Sequence, residues 1–244
     1  MRLALIGVGL IGASAAWAMK RGGVFETVSA FDLSAQSARK AVEMGIADTA
    51  ADTLEACVQG ADAVLVAVPV LAIEKVMAQI EPFLRDETLV TDVGSVRGVV
   101  IEGARRALKE KFVNYAPVHP IAGGEMPGVD YADADLFMGA KAISTPVADI
   151  GDRAVQFWEN AWKTAGSDLL RMTPEEHDAV FASVSHLPHL LSYAMVDSIL
   201  NTGSAERKLS LAGAGFRDFT RIAASSPEMW VDIFRANKKE IGRA

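Results

Sequence analysis

The chain has 244 residues, half of them hydrophobic and 23% charged, with a formal net charge of −7. Those are the proportions of a folded globular protein with a sizeable core, and they exclude disorder, collagen-like repeats and low-complexity architecture. The acidic balance argues against generic binding to phosphate backbones or anionic lipid, so neither nucleic acid nor a membrane is an expected partner, and an anionic ligand would need a local cluster of positive groups. Cys57 is the only cysteine, which rules out an intrachain disulfide and a Cys-rich zinc site and fits a reducing cytoplasm.

The apolar stretch from Leu3 to Met19 loosely imitates a secretory signal, but three glycines interrupt it. Lys20-Arg21 closes it before the ~18 consecutive apolar residues that a spanning helix needs, and no other segment is expected to come close. Strands are expected at Leu3–Ile6, Val28–Phe31, Ala63–Ala67, Leu89–Asp92, Asn114–Ala116 and Ala142–Ser144. Each is a continuous apolar run, as in strands buried on both faces. Between them, Ser34–Met44 ends at Gly45, Leu71–Leu84 follows Val68-Pro69, and Val96–Leu108 follows Asp92-Val93-Gly94-Ser95. Each reads as a helix with a start or stop signal, and the alternation predicts an α/β fold of the Rossmann type, a doubly wound parallel sheet.

After Arg171 the β-branched runs vanish and helical stretches follow one another: Pro174–Val184, Leu187–Leu200, Phe216–Ala224 and Pro227–Asn237. Pro174 and Pro227 suit a first helical turn, where the missing N–H costs nothing. A boundary near residue 172 is therefore expected, with residues 1–172 forming the α/β domain and 173–244 a smaller all-α one. The latter is too small for much independent stability and should pack on the first domain or on a partner chain. Trp230 and Phe234, with Val231 and Ile233 nearby, give the last helix an apolar face suited either to core packing within one chain or to a dimer interface.

Gly7-Val8-Gly9-Leu10-Ile11-Gly12 follows the first strand and opens a helix, and Asp32 ends the second strand about 20 residues later. In that context the glycines predict a dinucleotide site: Gly7 for the tight turn, Gly9 for close approach of backbone to the pyrophosphate, Gly12 for helix–strand packing. The helix N-terminus supplies N–H groups and a positive dipole end to the phosphates. A carboxylate at Asp32 accepts from a ribose 2′-hydroxyl and repels a 2′-phosphate, and Leu33 and Ser34 bring no Arg to neutralise one, so NAD is favoured over NADP. The residues assigned to the cofactor are Gly7, Gly9, Leu10, Ile11, Gly12 and Asp32, with Val68, Pro69 and Asp92 at later strand ends.

Three of the four histidines lie in two clusters, Val118-His119-Pro120-Ile121-Ala122-Gly123-Gly124-Glu125 and Ser185-His186-Leu187-Pro188-His189. His119 follows an expected strand end, where ligands bind in open α/β sheets, and a neutral imidazole there can accept a proton near pH 7. A locally hydrogen-bonded loop histidine is the plainer alternative. A zinc site from His119, His186 and His189 lacks an acidic partner of familiar spacing, so no metal is expected.

The chain resembles the prephenate/arogenate dehydrogenases of tyrosine biosynthesis. The resemblance is carried by Gly7–Gly12, by Thr91-Asp92-Val93-Gly94-Ser95-Val96-Arg97-Gly98, by His119–Glu125 running on to Asp133-Ala134-Asp135-Leu136-Phe137, by Ser185–His189, and by Gly215-Phe216-Arg217-Asp218-Phe219-Thr220-Arg221-Ile222-Ala223. It implies oxidative decarboxylation, with hydride passing from a ring carbon to NAD and carbon dioxide leaving as the ring becomes aromatic. It further implies that His119 takes charge and proton from the substrate hydroxyl with Ser95 hydrogen-bonding beside it. Arg221 would clamp a substrate carboxylate, with Arg217 as second clamp or solvated neighbour. Ser185, His186 and His189 would line the substrate side chain, with His189 also meeting tyrosine as feedback inhibitor, and Glu125 would stand at the site entrance. The helical part would bind substrate and build a homodimer, although members generally continue for several more helices than this chain has.

Gly124 stands where many members carry a small hydroxyl residue, and Ala214 interrupts what is often a run of glycines; neither removes a catalytic group. Two other functions stay open on the sequence. A dehydrogenase of the β-hydroxyacid type would need a Lys followed by Asn one turn later on a central helix, and no such pair appears after residue 150. A nucleotide-sensing protein without turnover would have no use for a base beside the nicotinamide.

Overall fold

The computed structural model describes residues 1–124 and 126–244. Eight strands form one sheet: β1 (Arg2–Ile6), β2 (Thr27–Phe31), β3 (Thr49–Ala50), β4 (Ala63–Val66), β5 (Leu89–Asp92), β6 (Tyr115–Ile121), β7 (Lys141–Ser144) and β8 (Asp168–Arg171). Their order is β3-β2-β1-β4-β5-β6-β7-β8. The pairs from β3 to β6 are parallel, β7 runs antiparallel to β6, and β8 parallel to β7.

Successive residues of a strand serve opposite cores. Leu3 and Leu5 of β1 join Val28, Ala30 and Leu65 on one face, while Ala4 and Ile6 join Val64, Val66 and Val90 on the other. Both faces are dry, which is why these strands read as unbroken apolar runs. The first face is covered chiefly by α1 (Leu10–Arg21) and α6 (Asp152–Thr164), whose Trp158 and Trp162 are wholly buried with Phe25 and Phe137. The other is covered by α3 (Leu54–Val58), α4 (Ile73–Ile80) and α5 (Arg97–Leu108). On the edge, α2 (Ala35–Glu43) starts at Ser34, whose hydroxyl accepts from the Ser37 N–H.

Helices then follow without further strands. α7 (Pro174–Phe181) runs through a π-turn at Ala182–His186 into α8 (Leu187–Leu200). Three more follow: α9 (Ala205–Ser210), α10 (Ala214–Thr220) with a 3-10 turn at Arg221–Ala224, and α11 (Pro227–Ala236), before the short α12 (Lys238–Ile241). α11 returns to the sheet half, and its Trp230 and Ile233 join the core that contains Val70 and Ile73. The apolar face expected on this helix is thus partly taken up inside the chain, while Met229 and Val231 remain exposed.

Several expectations are corrected. β6 extends to Ile121, so His119 lies within a strand and not after one. β6 pairs with β5 only as far as Pro117 and then with β7, where His119 stands opposite Ile143, so the histidine projects past the carboxyl end of β5. The helix expected over Leu71–Leu84 is α-helical only at Ile73–Ile80, with 3-10 turns on both sides and Pro82 in the second. The short strands β3 and β8 and the helix α6 were not expected. Finally, Pro174–Leu200 is by length and composition apolar enough to cross a membrane, contrary to the expectation that no segment would come close. Val184, Leu191, Met195 and Leu200 on it are exposed.

Candidate active site

The glycine loop sits where the strand order reverses, between β1 and its neighbours β2 and β4. Gly7 has φ +92°, and a Cβ there would lie 2.3 Å from the Ala67 carbonyl oxygen, so backbone from the β4 end closes over it. A Cβ on Gly12 would meet the Gly7 oxygen at 2.3 Å and the Ala67 Cβ at 2.7 Å, whereas one on Gly9 would meet nothing within 4 Å. Two glycines therefore serve close packing, and the middle one faces open space that a phosphate chain can occupy. No side chain caps α1 at Gly9, which leaves first-turn N–H groups around Leu10 and Ile11 for an anion.

Asp32, half-buried at the end of β2, is aimed at this loop. Its Oδ2 accepts from the Val8 N–H at 2.7 Å and its Oδ1 from the Ser34 N–H at 2.8 Å, which leaves further lone pairs for ribose hydroxyls. Val68 adjoins Gly7, and Pro69 is exposed beside it. These residues fit a dinucleotide. Asp92 does not belong with them: its carboxylate is wholly buried, paired with both Nη atoms of Arg97 at 2.8 Å and accepting from the Tyr115 hydroxyl. The reason lies in Arg97, five residues on, whose wholly buried guanidinium takes Asp92 as its ion-pair partner. Asp92 also accepts from the Gly94 N–H at 2.7 Å, and Arg97 donates to the Gly94 carbonyl at 2.6 Å. The ion pair thus shapes the turn that presents Ser95. Ser95 is half-buried and makes no side-chain hydrogen bond among the described residues.

Against that turn lies a line of hydrogen-bonded groups reaching from the sheet into the helical half. His119 Nδ1 is 2.9 Å from His177 Nε2, and His177 Nδ1 is 2.9 Å from Asp178 Oδ1. Asp178 accepts in addition from the N–H groups of Arg97 (2.7 Å) and Gly98 (2.8 Å). Phe181, one turn beyond His177, stacks on its ring at 4.4 Å and meets His119 edge-on at 5.0 Å. Burial holds the His119 pKa well below the ordinary histidine range, reinforced by the positive charge of Arg97 and the neighbouring imidazoles. Burial lowers His177 too, against the opposing pull of Asp178. Burial alone would raise Asp178, but its hydrogen bonds from His177, Arg97 and Gly98 outweigh that and lower it. Both imidazoles are therefore neutral and the carboxylate is ionised near pH 7.

The second cluster lies just beyond the π-turn. His186 is buried, with its pKa pushed down to about 4 by burial, and its Nδ1 lies 3.0 Å from Asn237 Nδ2, which also donates to the Asp178 carbonyl at 2.9 Å. His189 Nδ1 bonds the Ser185 carbonyl at 2.9 Å, and its ring stacks on Trp230 at 3.6 Å. Ser192 and Tyr193 of α8 donate to the carbonyls of Phe219 and Ser225, pinning the segment that carries Arg221 beside this cluster. Arg221 is exposed there, and Arg217 is exposed with its Nη1 on the Ala212 carbonyl at 2.6 Å. Glu125 lies outside the described residues. His177, Asp178, Arg97 and Asn237 were not found from sequence. His177 was the one histidine outside a cluster, and its partnership with His119 spans 58 residues of chain.

A sheet with a glycine loop at its reversal point, a histidine past the carboxyl end of β5 and a helical part hydrogen-bonded to that histidine defines a dinucleotide-binding α/β protein. The family model for prephenate dehydrogenase, nucleotide-binding domain, matches residues 15–170, and that for prephenate dehydrogenase, dimerization domain, matches residues 173–244. The chain belongs to the prephenate dehydrogenase family. It is 35% identical over 237 residues to the cyclohexadienyl dehydrogenase of Zymomonas mobilis, covering 96% of this chain and 80% of that one. It is 36% identical over 245 residues to the prephenate dehydrogenase of Bacillus subtilis, covering 97% of this chain and 64% of the relative. The crystal structure of prephenate dehydrogenase from Aquifex aeolicus in complex with hydroxyphenyl propionate and NAD+ superposes with a TM-score of 0.93 at 33% identity, covering all of this chain and 85% of that one.

Proposed function

We infer that this protein oxidatively decarboxylates prephenate or arogenate, with NAD as hydride acceptor. The observation that carries the reading is a neutral, half-buried His119 projecting past the carboxyl end of β5 in the sheet that carries the glycine loop. NAD, when bound, accepts the hydride from the ring carbon that bears the hydroxyl. His119 shares the hydroxyl proton while that oxygen takes on carbonyl character, and returns it as loss of carbon dioxide leaves its electron pair in the ring and a phenol forms. Ser95, held by the Asp92–Arg97 pair, orients the same oxygen. Arg221, with Arg217 nearby, supplies the local positive charge that two substrate carboxylates need in an acidic protein. Ser185, His186 and His189 line the substrate side chain.

The lone paired carboxylate at Asp32 supports NAD over NADP. Residues 1–172 would act as the nucleotide-binding domain and 173–244 as the substrate-binding and dimerisation domain, with the exposed apolar side of Pro174–Leu200 meeting a second copy. Tyrosine would compete at His189, and the single buried thiol of Cys57 suits a cytoplasmic setting. Absorbance of reduced nicotinamide, followed with prephenate and with arogenate, each with NAD and NADP, tests the reading. Turnover with either substrate supports it; nucleotide binding with no turnover in any mixture overturns it in favour of a sensing role.

A further inference from the structure

We propose that His177 and Asp178 are positioning residues that hold His119 in the Nδ1–H tautomer, so that its bare Nε2 is the atom offered to substrate. The inference rests on the reading of His119 as the proton acceptor, and it follows from counting donors along the line. Ionised Asp178 can only accept, so at 2.9 Å the proton between it and His177 belongs to His177 Nδ1. A neutral His177 then has no proton on Nε2, and that nitrogen can only accept. The contact of 2.9 Å with His119 Nδ1 therefore requires the proton on His119 Nδ1. A neutral His119 carries one ring proton, which leaves its Nε2 with a free lone pair.

The surroundings hold this arrangement in place. His177 is wholly buried, so water cannot replace either partner. Its ring is fixed by Phe181, stacked at 4.4 Å, and Asp178 is anchored by the Arg97 and Gly98 N–H groups at the start of α5. Neither residue needs to touch the substrate. A second effect has the same geometry: when His119 Nε2 takes a proton, the new imidazolium already donates to a neutral imidazole backed by a carboxylate, with no solvent reorganisation.

The test is ring-nitrogen NMR of the full, unliganded chain labelled with 15N-histidine at pH 7.5, with the His119 signals assigned by their loss in His119→Asn. The expected pattern is a protonated Nδ1 and an imine-type Nε2 on His119. A protonated Nε2 in the wild-type chain overturns the proposal outright, without any variant having to fold. His177→Leu, which removes the acceptor, should shift His119 towards the other tautomer and lower kcat about tenfold or more with KM little changed. His177→Gln, whose side-chain oxygen can accept from His119 and whose amide can donate to Asp178, should restore much of both. Unaltered His119 nitrogens and normal kcat in a folded His177→Leu chain also overturn it. Absence of wild-type turnover would count against the proposed reaction and leave the tautomer measurement standing on its own.

Discussion

The Asp178 carboxylate accepts the backbone N–H of Arg97 at 2.7 Å, so a side chain from the first helix of the C-terminal half caps the N-terminus of α5 in the sheet half. Val96, at the N-cap of α5, offers no side-chain cap of its own. The same carboxylate backs His177, so one residue ties the packing of the two halves to the setting of His119.

The first prediction concerns His119 itself. His119→Asn should lower kcat by about a hundredfold or more, the usual share of a general base, with NAD affinity nearly unchanged because the glycine loop and Asp32 are untouched. Steady-state absorbance and equilibrium titration of NAD separate the two. Normal turnover in this variant would remove His119 from the chemistry.

Asp32 should decide the cofactor. NADP is expected to be used at least tenfold less efficiently than NAD by kcat/KM, because its 2′-phosphate would face a carboxylate already oriented by Val8 and Ser34. Asp32→Asn should narrow the ratio. Equal efficiency with both cofactors in the unaltered chain would defeat the argument.

Arg221→Ala should chiefly raise KM for the substrate, with a smaller effect on kcat, since a carboxylate clamp acts in both ground and transition states. A large fall in kcat at constant KM would place Arg221 at the reacting centre.

The buried Asp92–Arg97 pair should matter for folding more than for binding. Asp92→Asn leaves the guanidinium of Arg97 without its anion in a site closed to water, an error of about 3–5 kcal/mol in comparable pairs. Urea denaturation should show a midpoint lowered by about 1.5–2.5 M, at an m-value of about 2 kcal/mol/M. An unchanged midpoint would mean that water or another acceptor reaches Arg97.

Stability should fall on mild acidification. His186 sits at about 4 in the fold against an ordinary 6.5, and His119 and His177 are lowered as well. Each is neutral when folded and protonates more readily when unfolded, so the unfolded chain binds more protons as pH drops from about 6.5 towards 4. Stability is full above that window and lost through it, with His186 alone contributing about 3 kcal/mol. Asp178, lowered by its three donors, adds a loss at the acid end. Thermal melts between pH 7.5 and 4.5 should show the decline, and a flat profile would contradict it.

What could be read from the chain follows the range of the interactions. The β1–glycine–α1–β2–Asp32 unit is local, with turn, helix start and acid each marked by residue type, and it came through intact. The cap at Ser34 and the first-turn prolines Pro174 and Pro227 likewise mark their helices within a few residues. α6 carries a stripe of its own in Ala154, Val155, Trp158, Ala161 and Trp162 at helical spacing. β8 had no such pattern, because Asp168, Leu170 and Arg171 are exposed and its pairing with β7 is made by backbone. Asp92 looked like a ligand residue because it ends a strand; only the fold shows Arg97 and Tyr115 closing on it. The line from His119 to Asp178 brings together positions far apart in the chain, and no spacing rule could announce it.

Trp230 stacks on His189 with ring centres 3.6 Å apart and planes 17° from parallel. An indole in face contact with an imidazole changes its emission when that ring gains charge or is displaced. The other three tryptophans, Trp17, Trp158 and Trp162, lie against or within the core on the opposite face of the sheet. The chain therefore carries a built-in optical reporter of the charge and position of the His189 ring, readable in the unmodified protein without an added dye.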